Sequence, residues 1–354
     1  MPYSGYSIAM RLGVLDIGSN SAQLQVVHAA PGAPPLPMHA VKAATLLGGA
    51  IGQDQCLDAD GVDRVCQAVT QTLDAAYRYE VAQLYPFVTA AIRDAANREY
   101  VLDRIEQGCG IRPQYLTGAQ EARLTYLAVH RWYGWSAGRL LNIDIGGGSM
   151  EIALGRDAEP DLALSLPLGA GRLTRAFLGE VDPPARTQVK ALRRYVRDTL
   201  REPADRLRWE GQPRRAVATS KTFKQLARLC GAPAQRKGPF VRRTLSLRDV
   251  RKWIPRLAAM GEEERATLRG VSELRAHQIL AGAIVAEEAM SALNIAQVEV
   301  SPWALREGVI LQHLASVTDA KNDLPLHPLT PRPAQTSATV TTLTDKLIPR
   351  NHHR

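Results

Sequence analysis

The chain has 354 residues, a formal net charge of +9 and an apolar fraction of 45%, enough for two domains with sizeable cores but with no apolar run near the roughly 20 residues of a membrane span. No basic segment leads into an apolar stretch and a cleavage site at the N-terminus, so no secretory signal is expected. Cys56, Cys66, Cys109 and Cys230 are irregularly spaced without a CxxC pair, which favours free thiols in a reducing cytoplasm over zinc or redox chemistry.

Residues 1–9 read as an extension ahead of Met10-Arg11. Strands are expected at 11–17, 22–29 and 36–44, a meander whose last link is the Pro-rich loop from Pro31 to Pro37. A helix over 59–79 places Val62, Val65, Cys66, Val69, Leu73 and Ala76 on one face. Strand 84–89, a helix in 94–107, strand 111–116 and a helix over 118–133 complete an α/β unit with a mixed sheet. The pattern then restarts with strands 138–145, 149–154 and 161–167. Helices at 184–206, 246–260 and 272–293 and strands 214–219 and 297–300 follow. Pro302 opens a last helix, 303–314. The expected division is residues 10–135 plus 302–316 as one domain and 136–301 as a second. The Pro- and Ser/Thr-rich segment 317–354 has no periodicity and is expected to be disordered.

Charge is uneven along this plan. Residues 193–275 hold 22 Lys/Arg against 9 Asp/Glu, which fits a polyanionic partner or an Arg-rich solvated surface. Little aromatic interleaving and no nucleic-acid motif accompany it, so no specific nucleic-acid partner is expected.

A short phrase is written twice: Leu15-Asp16-Ile17-Gly18-Ser19-Asn20-Ser21 and Ile143-Asp144-Ile145-Gly146-Gly147-Gly148-Ser149. Each follows an apolar run and precedes an alternating one. That pattern is a β-hairpin whose tip offers backbone N–H groups to an anion. In the second copy three glycines let a phosphate approach closely. Asp144 and Glu151 flank that cradle and form a hard-oxygen seat suited to Mg²⁺. In the first copy Gly18, Ser19, Asn20 and Ser21 suit a second phosphate, and Asp16 can hold a metal-bound water. Arg93, in Thr89-Ala90-Ala91-Ile92-Arg93, is expected near a helix N-terminus where an anion is favoured; a surface arginine is the ordinary alternative. Glu121, after Leu116-Thr117-Gly118-Ala119-Gln120, reads on its own as a capping acid.

DIGSNS, TAAIRDAAN, LTGAQEARLTY and DIGGGSMEI occur in this order and spacing. With them go Ser165 to Leu173, Arg275 to Ala283 and Ala304-Leu305-Arg306-Glu307-Gly308. The chain resembles the exopolyphosphatase/guanosine pentaphosphate phosphohydrolase (Ppx/GppA) family over about 11–314. The resemblance implies two ribonuclease-H-like domains of the actin-like ATPase superfamily with the active site between them. It implies Glu121 and Glu151 as catalytic acids and Asp144 as a metal-associated acid. Gly146 to Ser149 and Ser19 to Ser21 become phosphate loops, Arg93 a phosphate ligand, and the helix after Pro302 folds back onto the first domain.

Two departures bear on the substrate. Where members often carry a Gly-Gly-Thr turn, Thr219-Ser220-Lys221-Thr222-Phe223 stands, with a Lys and a Phe in the open glycine space. This disfavours a nucleotide pocket and supplies Lys221 as a cation for a phosphate chain. A helical C-terminal domain of longer members has no room here, which argues for short chains. The expected activity is therefore metal-dependent hydrolysis of terminal phosphate from inorganic polyphosphate with Mg²⁺, or Mn²⁺ in its place. Glu121 is favoured as the base, with Glu151 the alternative. The rival readings are hydrolysis of pppGpp to ppGpp, an ATP-dependent kinase or chaperone-like ATPase, and a non-catalytic polyphosphate or alarmone sensor. (p)ppGpp stands as a rival substrate or inhibitor, a homodimer is compatible with the reading, and no membrane partner is expected.

Overall fold

The computed structural model describes residues 10–30, 33–52, 54–179, 181–318 and 324–331. The first half runs β1 (Met10–Ile17), β2 (Ser21–Ala29), β3 (His39–Ala44), α1 (Ala59–Arg78), β4 (Gln83–Val88), α2 (Ala90–Arg93), α3 (Arg98–Cys109), β5 (Gln114–Tyr115) and α4 (Gly118–Tyr133). The second runs β6 (Leu140–Ile145), β7 (Met150–Gly155), β8 (Leu162–Leu166), α5 (Ala170–Leu173), α6 (Arg186–Trp209), β9 (Arg215–Thr219), α7 (Ser220–Leu229) and β10 (Thr244–Ser246). It continues through α8 (Leu247–Ala259), α9 (Glu262–Thr267), α10 (Glu273–Ala276), α11 (Ile279–Ala292) and β11 (Gln297–Val300), and α12 (Leu305–Thr318) follows.

The two sheets repeat one topology. The first has the order β3-β2-β1-β4-β5, antiparallel through the meander and parallel from β1 outward. The second reads β8-β7-β6-β9-β11, with the same pairing senses, and adds β10 at its far edge. This is the expected α/β arrangement of two ribonuclease-H-like sheets, and no described helix is long and apolar enough to cross a membrane.

Each sheet has its own core. α1 starts at Asp58, whose carboxylate accepts from Gly61 N at 2.7 Å, and buries Val62, Val65, Val69, Leu73 and Ala76 against β1 and β2. α11 is buried almost all round, which is why it reads as apolar without a face, and it centres the second core. α4 serves both halves: Ala122, Tyr126 and Val129 pack on the second sheet, while Leu124 packs with Leu12 and Val14 of the first. α12 returns to the first sheet beside α4. A Cβ on Gly308 would lie 2.0 Å from the Leu124 carbonyl oxygen, so the two helices meet backbone to backbone.

Several expectations change. The strand expected at 36–44 begins only at His39, and that at 111–116 shrinks to two residues. The helix expected at 272–293 breaks into α10 and α11, and α7 was not foreseen. Part of the expected disordered tail is ordered. Helix α12 runs through Thr318, Leu324 and Leu326 are buried in the first sheet's outer core, and Leu329 exchanges two 2.7 Å backbone hydrogen bonds with Leu84. The other expected tail residues, 319–323 and 332–354, and the extension 1–9 lie outside the described residues. Among the described residues the four cysteines are free thiols.

Tyr85 on β4 anchors α12 through a 2.7 Å hydrogen bond between its hydroxyl and His313 Nδ1. Burial raises the tyrosine to about 12 and lowers the histidine, so both partners are favoured in their neutral forms. A histidine lowered in the fold binds fewer protons than in the unfolded chain. Its contribution is complete above the ordinary value of about 6.5 and falls as pH drops below it, by up to about 1.4 kcal/mol per pH unit. Urea unfolding from pH 7.5 to 5 should show that loss, and His313→Gln should remove part of the slope. Parallel pH profiles for the two proteins would contradict it.

Candidate active site

The two repeated phrases form matching hairpins. Gly18 N donates to Ser21 O at 3.1 Å, and Gly146 N to Ser149 O at 2.9 Å. In the second tip the carbonyls of Gly146 and Gly147 accept from Ala170 N and Arg172 N, both at 2.9 Å, and that of Gly148 accepts from Arg172 Nε at 2.9 Å. In the first tip the carbonyls of Ser19 and Asn20 accept from Leu47 N and Thr45 N, and that of Gly18 from the Thr45 hydroxyl at 2.7 Å. With the carbonyls held from outside, the peptide N–H groups turn inward, the arrangement an anion needs.

The tips meet face to face. A Cβ on Gly147 would lie 2.1 Å from Ser19 Oγ, and one on Gly148 2.7 Å from the Ala90 Cβ. Between them lies an open cavity of about 230 Å³ lined by both tips, by Asp16, Glu121, Asp144 and Glu151, and by Lys221, Lys224, Arg275 and Arg306. Asp144 and Glu151 are directly opposed across the β6–β7 pair, and the equivalent partner of Asp16 in β1–β2 is Gln23.

The acids are crowded and half to fully buried. Burial, then the Glu151 charge, hold Glu121 well above the ordinary carboxylate range, while Arg93 pulls the other way. Burial, then Asp144, push Glu151 up to about 7, opposed by hydrogen bonds from Ser149 and Ser165, the latter at 2.9 Å. Asp144 is raised by burial and partly relieved by the Thr219 hydroxyl, which donates to it at 2.6 Å. Asp16 is raised by burial despite Arg306 at 3.5 Å. Four carboxylates whose affinity for a proton is raised in one cavity are suited to a positive charge and to proton transfer.

Most sequence-derived residues converge here: Asp16, Gly18 to Ser21, Glu121, Asp144, Gly146 to Ser149, Glu151 and Lys221 all line the cavity. Arg93 does not. It closes the four-residue α2 at its C-terminal end, and its guanidinium pairs with Glu121 at 2.6 Å and Asp94 at 2.8 Å. Its guanidinium is thus engaged with two carboxylates, one of them Glu121 of the cavity lining. The expected metal trio Asp144, Glu151 and Asp16 is also not a preformed cage: among the described residues no three Asp, Glu, His or Cys converge as ligands. The oxygen donors do fit a Mg²⁺ held by one or two carboxylates, with phosphate oxygens and water completing its shell. Phe223 is fully buried in the second core and takes no space from the cavity.

The sequence reading missed Lys224, Arg275, Arg306 and Gln23. Arg306 donates to Gln23 at 2.6 Å, and Lys224 to the Pro302 carbonyl at 3.3 Å. Lys221 and Lys224 are three apart on α7, so recognising that helix would have joined them. Of the 193–275 basic stretch, only these two lysines and Arg275 face the cavity. Others, such as Arg193, Arg197 and Arg251, are paired with Glu287 and Glu288. Ser220, just before them, has φ of 76°, a left-handed backbone that a serine adopts only under strain.

The family model described as the Ppx/GppA phosphatase family matches residues 25–317. A protein of Mycobacterium tuberculosis named Exopolyphosphatase 1 is 50% identical over 310 residues, 88% of this chain and 90% of that protein. Its namesake in Mycobacterium leprae is 46% identical over 88% and 91%. Among solved structures, an exopolyphosphatase from Cytophaga hutchinsonii superposes with a TM-score of 0.78 at 25% identity, covering 87% of this chain and 98% of that one. The Aquifex aeolicus member of the Ppx/GppA family gives 0.69 at 26% identity over 89% and 99%.

Gly169 allows the α5 turn to hold the second tip, because a Cβ there would lie 2.2 Å from the Gly148 carbonyl carbon. Gly169→Ala should cost about 1–3 kcal/mol in urea unfolding. Gly108→Ala, on α3 with nothing within 4 Å, should gain about 0.5–1 kcal/mol. Equal effects would contradict this packing account.

Proposed function

The chain belongs to the Ppx/GppA phosphatase family, and we propose that it is an exopolyphosphatase, a metal-dependent hydrolase that removes the terminal phosphate of inorganic polyphosphate. The observation that carries this reading is the facing pair of amide-lined tips in one cavity with acids and a lysine–arginine rim. Short chains are the proposed substrates and the cytoplasm the proposed location.

The terminal phosphoryl group sits between the tips of Gly18 to Ser21 and Gly146 to Ser149. Their N–H groups and hydroxyls hold its non-bridging oxygens, where negative charge concentrates as water attacks. Glu121 takes the proton of that water. Burial raises its affinity for a proton, and the 2.6 Å pair with Arg93 fixes its direction. Glu151, oriented by Ser165, and Asp144, oriented by Thr219, are the carboxylates that would hold Mg²⁺, or Mn²⁺ in its place. When bound, that ion supplies positive charge to the phosphate oxygens. Asp16 faces the first tip and is balanced by Arg306. Lys221, Lys224 and Arg275 receive the following phosphates and the departing chain end.

A cavity wall carrying Lys221 and Lys224 suits a chain of phosphates better than a purine. Hydrolysis of pppGpp is therefore the second reading, with (p)ppGpp otherwise an inhibitor. With Mg²⁺ or Mn²⁺ present, phosphate release from polyphosphate should exceed that from pppGpp and ATP. Glu121→Gln should lower that release about 100-fold or more while the chain's KM changes little. Full activity in the variant would remove Glu121 from the base role. Faster release from pppGpp would reverse the substrate order.

A further inference from the structure

The tips that line the catalytic cavity also line a second space behind them. Ser19, Asn20, Gly147 and Gly148 face both. The rear space is only about 20 Å³, room for about one water. Past Gly48 and Arg175 it adjoins a cavity of about 610 Å³ between the 46–49 turn of the first half and residues 174–179, Asp182, Pro184 and 262–277 of the second. The cleft thus has two mouths with the phosphate tips between them.

Two side chains in the rear lack ordinary partners. Arg175 donates to the Gly48 carbonyl at 3.2 Å, and no carboxylate among the described residues pairs with it. Burial, then nearby Arg172, lower its affinity for its proton, as expected of a cation awaiting an anion. Gln278 is 3% exposed, and its Nε2 has no hydrogen-bond partner. A buried donor left unsatisfied is costly, and a guanidinium beside it makes the missing partner an anion. Of the acids along this route, Asp94 is paired with Arg93 and Arg172, and the larger cavity carries Asp182, paired with Arg265 at 2.9 Å, together with Glu262 and Glu273.

We propose that orthophosphate cleaved from the chain end leaves through this rear mouth, held on the way by Arg175 and Gln278. The inference rests on the exopolyphosphatase reading. The remaining chain fills the lysine–arginine mouth, so a phosphate released between the tips meets the chain on one side and the rear space on the other. The gate is the Ser19–Gly147 contact, whose halves belong to different sheets, and a small separation of the sheets widens it. Release by a separate mouth lets the shortened chain advance without leaving the enzyme.

The test is binding of radiolabelled orthophosphate by equilibrium dialysis to the full chain saturated with an inert imido-linked polyphosphate. One equivalent should remain bound beside the inert chain, and in turnover assays orthophosphate should inhibit noncompetitively against polyphosphate. Arg175→Ala and Gln278→Leu should each weaken orthophosphate binding about tenfold while leaving the chain's KM within about twofold. Gln278→Leu removes an unpartnered amide and should fold at least as stably as the parent, so it serves even if Arg175→Ala does not fold. Complete displacement of orthophosphate by the inert chain, or unchanged orthophosphate binding in both variants, overturns the rear exit. Absence of phosphate release from polyphosphate by the parent protein, with orthophosphate still bound beside the inert chain, counts against the exopolyphosphatase reading instead.

Discussion

The structure depends on where six carbonyl groups point. Those of Gly18, Ser19 and Asn20 are held by the segment after β3, and those of Gly146, Gly147 and Gly148 by the turn that opens α5. A peptide plane with its oxygen secured on one side presents its N–H on the other. Both tips therefore offer donors to one space before any ligand arrives. Gly169 belongs to this device because a side chain there would collide with the second tip, and a Cβ on Gly171 would lie 2.8 Å from Gln278 Oε1 and 3.1 Å from the Gly147 carbonyl oxygen.

On that shared frame the copies diverge. The position of Glu151 in the second hairpin is Gln23 in the first, so one side carries two opposed carboxylates and the other an acid and an amide. Arg306 takes up the first pair by reaching both Gln23 and Asp16. This explains why α12 returns to the first sheet, and why Glu307 pins its start by accepting from Gln25 and from Ala304 N. The second pair keeps its charge conflict, the state in which a proton or a dication is held with advantage. Glu121 stands on the helix that serves both cores, which couples the base to the relative position of the two sheets.

Much of this was legible in the sequence because it was written as contiguous phrases. Each strand-turn-strand phrase fixes its own hairpin, so the tips, Asp144 opposite Glu151, and the repeated topology follow from local pattern. What the reading missed was long-range. Arg93 follows a strand and so looked like an anion ligand, yet its neighbour in space is Glu121, 28 residues on. Arg275 and Arg306 reach the cavity from segments whose own periodicity says only helix. The 193–275 charge excess looked like one polyanion track, but pairing with Glu287, Glu288 and Glu299 consumes much of it in structure. Residues 324–331 lack any periodicity, and their order comes from the edge of β4, which no local pattern reports.

The central claim is that both tips grip one phosphate. Diffraction from Glu121→Gln crystals grown with a short polyphosphate measures this most directly. The account predicts a terminal phosphate with oxygens about 3 Å from N–H groups of both tips, and the following phosphates toward Lys221 and Lys224. A chain bound to one tip alone, or along the lysine–arginine rim with the tips empty, would contradict it.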